Sequence, residues 1–331
     1  MKGYQRIGAS VAIPGLLKQF GQDPAEFLSN NGFPTHVLEN PENLLSLADL
    51  GRLIRSCVAA TKCPHFGLLI GQRASTQSLG LVGQLMRQAP TLGSAIYDLC
   101  VNQQRYVKGS VIYLSVQEKR AIWGYGIHLP DMQGIEQGND LVVAMGFKLM
   151  TELSGLAPEQ IWIARRTPDD ARPYIELFGR MPIFDAHQSA LVFPSKFLDR
   201  PVKGADPRVR KELEKVVANY WLVKQPSIKD QVVRILRARS VCGHATLEQV
   251  SKELGMHPRT LNRRLETEGT SFRSLLNLGR LEIARQLLGN TSMKVTDIAH
   301  ALGYAETSAF TRAFQKWAGK SPVAWRKEGF E

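Results

Sequence analysis

Apolar residues recur at helical spacing in Ser46–Ala60, Leu92–Tyr106 and Leu141–Leu153, so these stretches are expected to form amphipathic helices. Val111–Val116 and Ala121–Ile127 are instead rich in β-branched and aromatic residues around the polar turn Gln117–Arg120, the pattern of a β-hairpin. Ile161–Ala164 and Ala190–Phe193 read as two further short strands. Asp169-Asp170 stands where it would cap a helix over Ala171–Phe178. This mixture predicts an α+β domain over residues 1–205. A charged helix near Pro207–Asn219 and the linker Lys224-Gln225-Pro226-Ser227 make up a connecting segment, 206–227.

The remaining residues, 228–331, contain a unit used twice. Ala245–Ser271 corresponds to Lys294–Ser321: Leu247, Val250, Ser251, Leu254 and Gly255 match Val295, Ile298, Ala299, Leu302 and Gly303 at a constant offset. One extra residue then brings Leu261, Arg263 and Leu265 onto Phe310, Arg312 and Phe314. Each copy reads as helix, tight turn, helix. Gly255 ends the first helix and Pro258 suits the first turn of the next. Leu261 and Leu265 mark the buried side of the second helix, leaving Arg259, Asn262 and Arg263 elsewhere on its surface. In the second copy Phe310 and Phe314 face inward and Thr307, Ser308, Thr311 and Arg312 are left available. Ser271–Leu288 reads as one helix ended by Gly289-Asn290, a spacer of roughly 27 Å. That length can hold two recognition helices about 34 Å apart, one turn of DNA. The expected domain is all-α, with two helix-turn-helix units joined by a long helix.

Charge supports the same direction. The net charge of the 331 residues is +12. Residues 228–331 carry 17 basic against 10 acidic side chains, a denser excess than in the rest of the chain. A basic C-terminal third is expected to face a polyanion. No run reaches the roughly 20 apolar residues a membrane helix needs, and Lys18-Gln19 interrupts the stretch where a signal peptide would stay apolar. The expected location is therefore the cytoplasm, with no membrane partner. Cys57, Cys63, Cys100 and Cys242 form no metal-like or CxxC spacing and read as small core residues. No metal or cofactor is expected.

The stretch DIAHALGYAETSAFTRAFQKWAGKSPVAWR, with Gly303-Tyr304, Phe310, Arg312-Ala313-Phe314, Gly319, Ser321-Pro322 and Arg326, resembles the signature of the AraC/XylS family of bacterial transcription regulators. Residues 228–329 as a whole resemble that family's paired helix-turn-helix domain. The resemblance implies base-reading at Arg259, Asn262 and Arg263 in the first recognition helix, and at Thr307, Ser308 and Arg312 in the second. The chemistry fits: Arg can donate twice to guanine, Asn can pair with adenine, and Ser and Thr adapt to either. Solvated surface is the alternative for all six, and Thr307 or Ser308 could instead cap its own helix. Arg273, Lys294 and Lys316 are the expected phosphate contacts. Three positions depart from the family pattern. Ser251 replaces Ala, His257 replaces a Ser cap, and Glu306 replaces a better capping residue, at about 1 kcal/mol for each weakened helix start.

Leu79-Gly80-Leu81-Val82-Gly83, Ala89-Pro90-Thr91-Leu92-Gly93, Ala190–Pro194 and Leu198-Asp199-Arg200-Pro201 resemble the arabinose-binding-like effector domain of some AraC regulators. The label does not make arabinose the ligand. No phosphate loop, HExxH or GxSxG is present. His36, His65, His128 and His187 are scattered and read as surface or satisfied core residues. Arg165-Arg166 reads as a solvated strand end in preference to an anion site. Trp123, Tyr125 and Trp162 read as core aromatics in preference to a pocket lining. No catalytic residues are expected, and the effector-binding residues stay unknown.

The expected function is a sequence-specific transcription regulator, an effector-responsive activator that binds promoter DNA and works with RNA polymerase in the bacterial nucleoid. Its effector would be an unidentified small molecule, and homodimerisation is open. The alternatives are an effector-blind architectural DNA-binding protein and an enzyme domain fused to a DNA-binding domain.

Overall fold

The computed structural model describes residues 4–102, 110–117, 119–127, 134–220, 227–241, 246–290 and 293–328. His128, Cys242 and the linker residues Lys224–Pro226 lie outside them, as do residues 103–106 of the second predicted helix.

The chain opens with a short strand, β1 (Tyr4–Arg6), paired antiparallel with β2 (Leu44–Ser46). Between and after them come α1 (Ile13–Gln19), α2 (Pro24–Asn30), α3 (Leu47–Thr61) and α4 (Phe66–Gln72). The α3 helix starts where the apolar spacing places it, because the Ser46 hydroxyl accepts from Asp49 N–H and caps it. Ile13, Leu16, Leu17, Leu53, Ile54, Phe66 and Ile70 form the core of this part.

Helices α5 (Gly80–Arg87) and α6 (Leu92–Asn102) lead into the hairpin β3 (Ser110–Gln117) and β4 (Arg120–Ile127). A long helix, α7 (Ile135–Ser154), follows; it begins six residues before its predicted start. Then come β5 (Gln160–Trp162), α8 (Arg172–Phe178) and β6 (Ser189–Pro194). The four strands form one antiparallel sheet in the order β3-β4-β6-β5. The α8 cap differs from expectation: Ala171 occupies the N-cap and gives no side-chain bond, while Asp170 accepts from the Arg172 N–H and pairs with its guanidinium.

The sheet packs on both faces. Leu114, Trp123, Leu191 and Ile161 share a rung and pack with Leu92, Ile96 and Leu99 of α6 and Val143 and Leu149 of α7. The opposite face carries Tyr113 and Ile122, which join the core of the second helix-turn-helix. Alternation along a strand sends successive residues to opposite faces, so one hairpin serves two cores.

The connecting helix α9 (Pro207–Tyr220) lies against the first part of the chain. Arg210 pairs with Asp98 of α6 at 2.8 Å, and the Asp206 N–H donates to Gln88. Helix α10 (Ile228–Val241), not foreseen from the sequence, supplies Val232, Ile235 and Leu236 to a core with Val250, Leu261, Leu265 and Leu275. It completes the first helix-turn-helix, α11 (Leu247–Glu253) and α12 (Pro258–Thr267). The spacer α13 (Phe272–Asn290) runs through Gly289-Asn290 instead of ending before them. The second copy is α14 (Val295–Ala301) and α15 (Thr307–Ala318), followed by α16 (Pro322–Glu328).

Candidate nucleic-acid interface

The two copies share their turn as well as their sequence. In the first, the Gly255 N–H donates to Lys252 and the Met256 N–H to Ser251, at 3.1 and 2.8 Å. In the second, the Gly303 N–H donates to His300 and the Tyr304 N–H to Ala299, both at 2.9 Å. These are the same two bonds displaced by one repeat. Both glycines have positive φ, 63° and 76°, a conformation that a Cβ penalises. The turn therefore fixes the angle between helices in each copy.

Packing then selects which side of each second helix is presented. Leu261 and Leu265 of α12 are fully buried, as are Phe310 and Phe314 of α15. Arg259 and Arg263 are exposed and Asn262 is half-buried on α12; Ser308 and Arg312 are exposed and Thr307 is half-buried on α15. Arg273 on α13, Lys294 before α14 and Lys316 on α15 are exposed. The six predicted base-reading residues thus fall on two helices whose other sides are committed to separate cores.

The departures from the family pattern have distinct outcomes. His257 does cap α12, its Nδ1 accepting from the Arg259 N–H at 3.3 Å. Ser251 is buried, and its hydroxyl donates to the Leu247 carbonyl at 2.6 Å, so the added oxygen is satisfied. Glu306 occupies the N-cap of α15 without a side-chain bond. Arg326 acts within the fold, where its guanidinium donates to the carbonyls of Leu288 and Met293 and ties α16 to the end of the spacer. Burial lowers its pKa from the usual arginine range.

The N-terminal candidates fare differently. Arg165 is not a solvated strand end, because Asp140 of α7 is buried beside it and requires a counter-charge. Tyr174 also donates to Asp140 at 2.8 Å, and burial nonetheless pushes Asp140 up to about 6. Arg165 is therefore engaged within the fold, whereas Arg166 is exposed. An aspartate preceding the apolar run of a helix was the available signal for this pair. Trp123 is buried in the core as expected, but Tyr125 and Trp162 are half-buried and each borders a cavity. Cys57, Cys63 and Cys100 are buried, and burial pushes the Cys57 thiol up to about 12. Among the described residues no His, Cys, Asp and Glu cluster could hold a metal, and no helix is long and apolar enough to cross a membrane.

A duplicated helix-turn-helix joined to an α+β domain defines a DNA-binding transcription regulator. The model of the AraC-regulator N-terminal arabinose-binding domain matches residues 21–202, and a helix-turn-helix model matches 250–328. The chain belongs to the AraC family of transcription regulators. It is 27% identical over 321 residues to the HTH-type transcriptional regulator VirS of Mycobacterium tuberculosis, covering 95% of this chain and 94% of that protein. It is 28% identical to the ornithine utilization regulator of Pseudomonas aeruginosa, covering 97% and 96%. Over 83 residues it is 40% identical to the HTH-type transcriptional regulator VqsM of Pseudomonas aeruginosa, covering 25% and 26%.

Proposed function

We propose that the protein reads two successive major-groove segments of promoter DNA, one with α12 and one with α15, under the control of a small molecule bound by residues 1–205. The observation that carries this is the repeated turn, which sets Arg259, Asn262 and Arg263 on one helix and Thr307, Ser308 and Arg312 on the other, opposite buried faces. In this reading those six residues contact bases. Arg273, Lys294 and Lys316 hold phosphates and fix register without reading sequence. Residues 206–227 connect the effector unit to a DNA-binding unit at 228–331.

In this reading binding activates transcription through RNA polymerase in the bacterial cytoplasm at the nucleoid, and the N-terminal half is the candidate surface for a homodimer. No catalytic step is assigned. The effector acts only as far as it binds one global arrangement better than another. The test is selection of genomic fragments by the purified full chain beside an Arg263→Ala/Arg312→Ala control. Enrichment of sites with two boxes about one turn apart, lost in the control, is expected. Equal enrichment by both proteins would overturn the assignment of these residues.

A further inference from the structure

Two apolar cores meet along α7, and they do not close on each other. Val142 and Met145 touch both the helical core below and the sheet core above. They are only half-buried, although Leu141, Val143, Ala144 and Gly146 around them are buried. The space they face is a cavity of about 100 Å³, walled by residues including Ile7, Leu50, Ile54, Ile112, Val142 and Met145. A smaller chamber of about 30 Å³ adjoins it and shares Leu99, Ile112, Tyr125, Val142 and Met145.

We propose that this cavity is the effector site and that its ligand is a compact, uncharged, apolar molecule the size of a single ring. The assignment rests on the regulator reading above. Size is the first argument. Protein interiors hold few voids larger than a water molecule; at about 100 Å³, with about 30 Å³ adjoining, this one is somewhat smaller than the apolar cavity of about 150 Å³ that stays dry and binds benzene, so a single ring is the upper limit. Charge is the second. Among the described lining residues the cation is Arg6, which is already paired with Glu42, so an anionic ligand would have to displace a carboxylate. Ser10 and Ser78 also line the cavity and leave room for one hydrogen-bonding end.

The cavity is also placed to act on the DNA-binding half. Ile112 and Tyr125 are paired across the hairpin and face the cavity. The next rung, Tyr113 and Gly124, faces the other way. There Tyr113 is buried with Leu281 of the spacer and with Met293 and Ile298 of the second helix-turn-helix, and its hydroxyl bonds to Gln188. Its ring lies so close over Gly124 that a Cβ at that position would overlap it. A ligand pressing on one rung thus moves a strand whose adjacent residue carries α14 and α13. Filling the cavity shifts how the second recognition unit is docked.

The test uses the full chain with toluene and phenol as probes and benzoate as the charged counterpart. Toluene and phenol at 100 times their Kd are expected to raise the Tm by about 5 °C, and benzoate to leave it unchanged. Val142→Phe, which fills the space from α7, should weaken phenol binding at least tenfold without lowering the Tm; Ile54→Phe does the same from α3 and serves if the first variant misfolds. Phenol binding unchanged in the filled variants, or no Tm response to either neutral probe, would overturn the site. A benzoate response equal to that of phenol would overturn the ligand class. Gly124→Ala, which displaces Tyr113, is expected to change DNA affinity at least threefold without added probe. No change would overturn the coupling. DNA binding of wild type and Arg312→Ala is measured on the same preparations. Probe binding without Arg312-dependent DNA binding would sink the regulator reading alone, and DNA binding without probe binding the cavity alone.

Discussion

Arg263 and Arg312 occupy equivalent places in the two copies, each exposed on a helix whose opposite side is buried. If each donates to a base, replacing either by alanine should cost about 1–3 kcal/mol of specific binding. The two losses should map to positions about one turn apart, measurable by anisotropy titrations on sites substituted base by base. Lys294 should behave differently. Lys294→Ala is expected to weaken binding evenly across sequences and lower the salt slope by about one, since a phosphate contact releases counterions without reading bases. Both arginines were legible in the sequence because the repeat fixes which positions are apolar and leaves them over. Asp140 and Arg165 were not, because their pairing depends on a helix and a strand end meeting across 25 residues of chain.

At the scale of elements, close approach decides where backbone can be replaced. Gly67 on α4 lies against α7, where a Cβ would overlap the Gln137 carbonyl. The Gln137 side chain bridges the same crossing, accepting from the Gly67 N–H at 2.8 Å and donating to the Pro64 carbonyl at 2.7 Å. Gly67→Ala must push two helices apart and is expected to destabilise by about 1–3 kcal/mol in urea denaturation. The hairpin and α3 were readable from local pattern, since alternation and a Ser cap are encoded within a few residues. Helices α4 and α10 are not legible in local pattern, each for its own reason: α4 is short, buried over much of its surface and lacks an amphipathic stripe, while α10 carries its apolar positions among many charges. Their helical state is settled by what they pack against. The cavity was invisible for the same reason, because its walls come from elements that only the fold brings together.

Across the whole molecule, α9 is tied to the N-terminal part through Arg210 and Asp98. Burial pushes Asp98 up to about 6 from its ordinary 3.8, although Arg210 pulls the other way. Between those values the folded chain holds a proton that the unfolded chain has released. The group's contribution to stability is therefore fully present below the unfolded value and is lost as pH rises through 6. His65, whose pKa burial lowers, acts in the opposite sense as pH falls. Comparison with Asp98→Asn isolates the aspartate: wild type should gain roughly 1 kcal/mol on the variant between pH 7 and pH 5, read from thermal unfolding at both values. A constant difference would mean that Asp98 is charged throughout this range.

The pairing of two reading helices on one spacer is the claim on which the rest depends. The spacer α13 has 19 residues, a length of about 28 Å at 1.5 Å per residue. A hydroxyl-radical footprint of the full chain on a selected site tests it most directly. Two protected tracts centred about 10 base pairs apart on one face of the duplex are expected, the tract under α12 lost in Arg263→Ala and the tract under α15 lost in Arg312→Ala. A single tract, or two tracts that both survive these substitutions, would contradict the account.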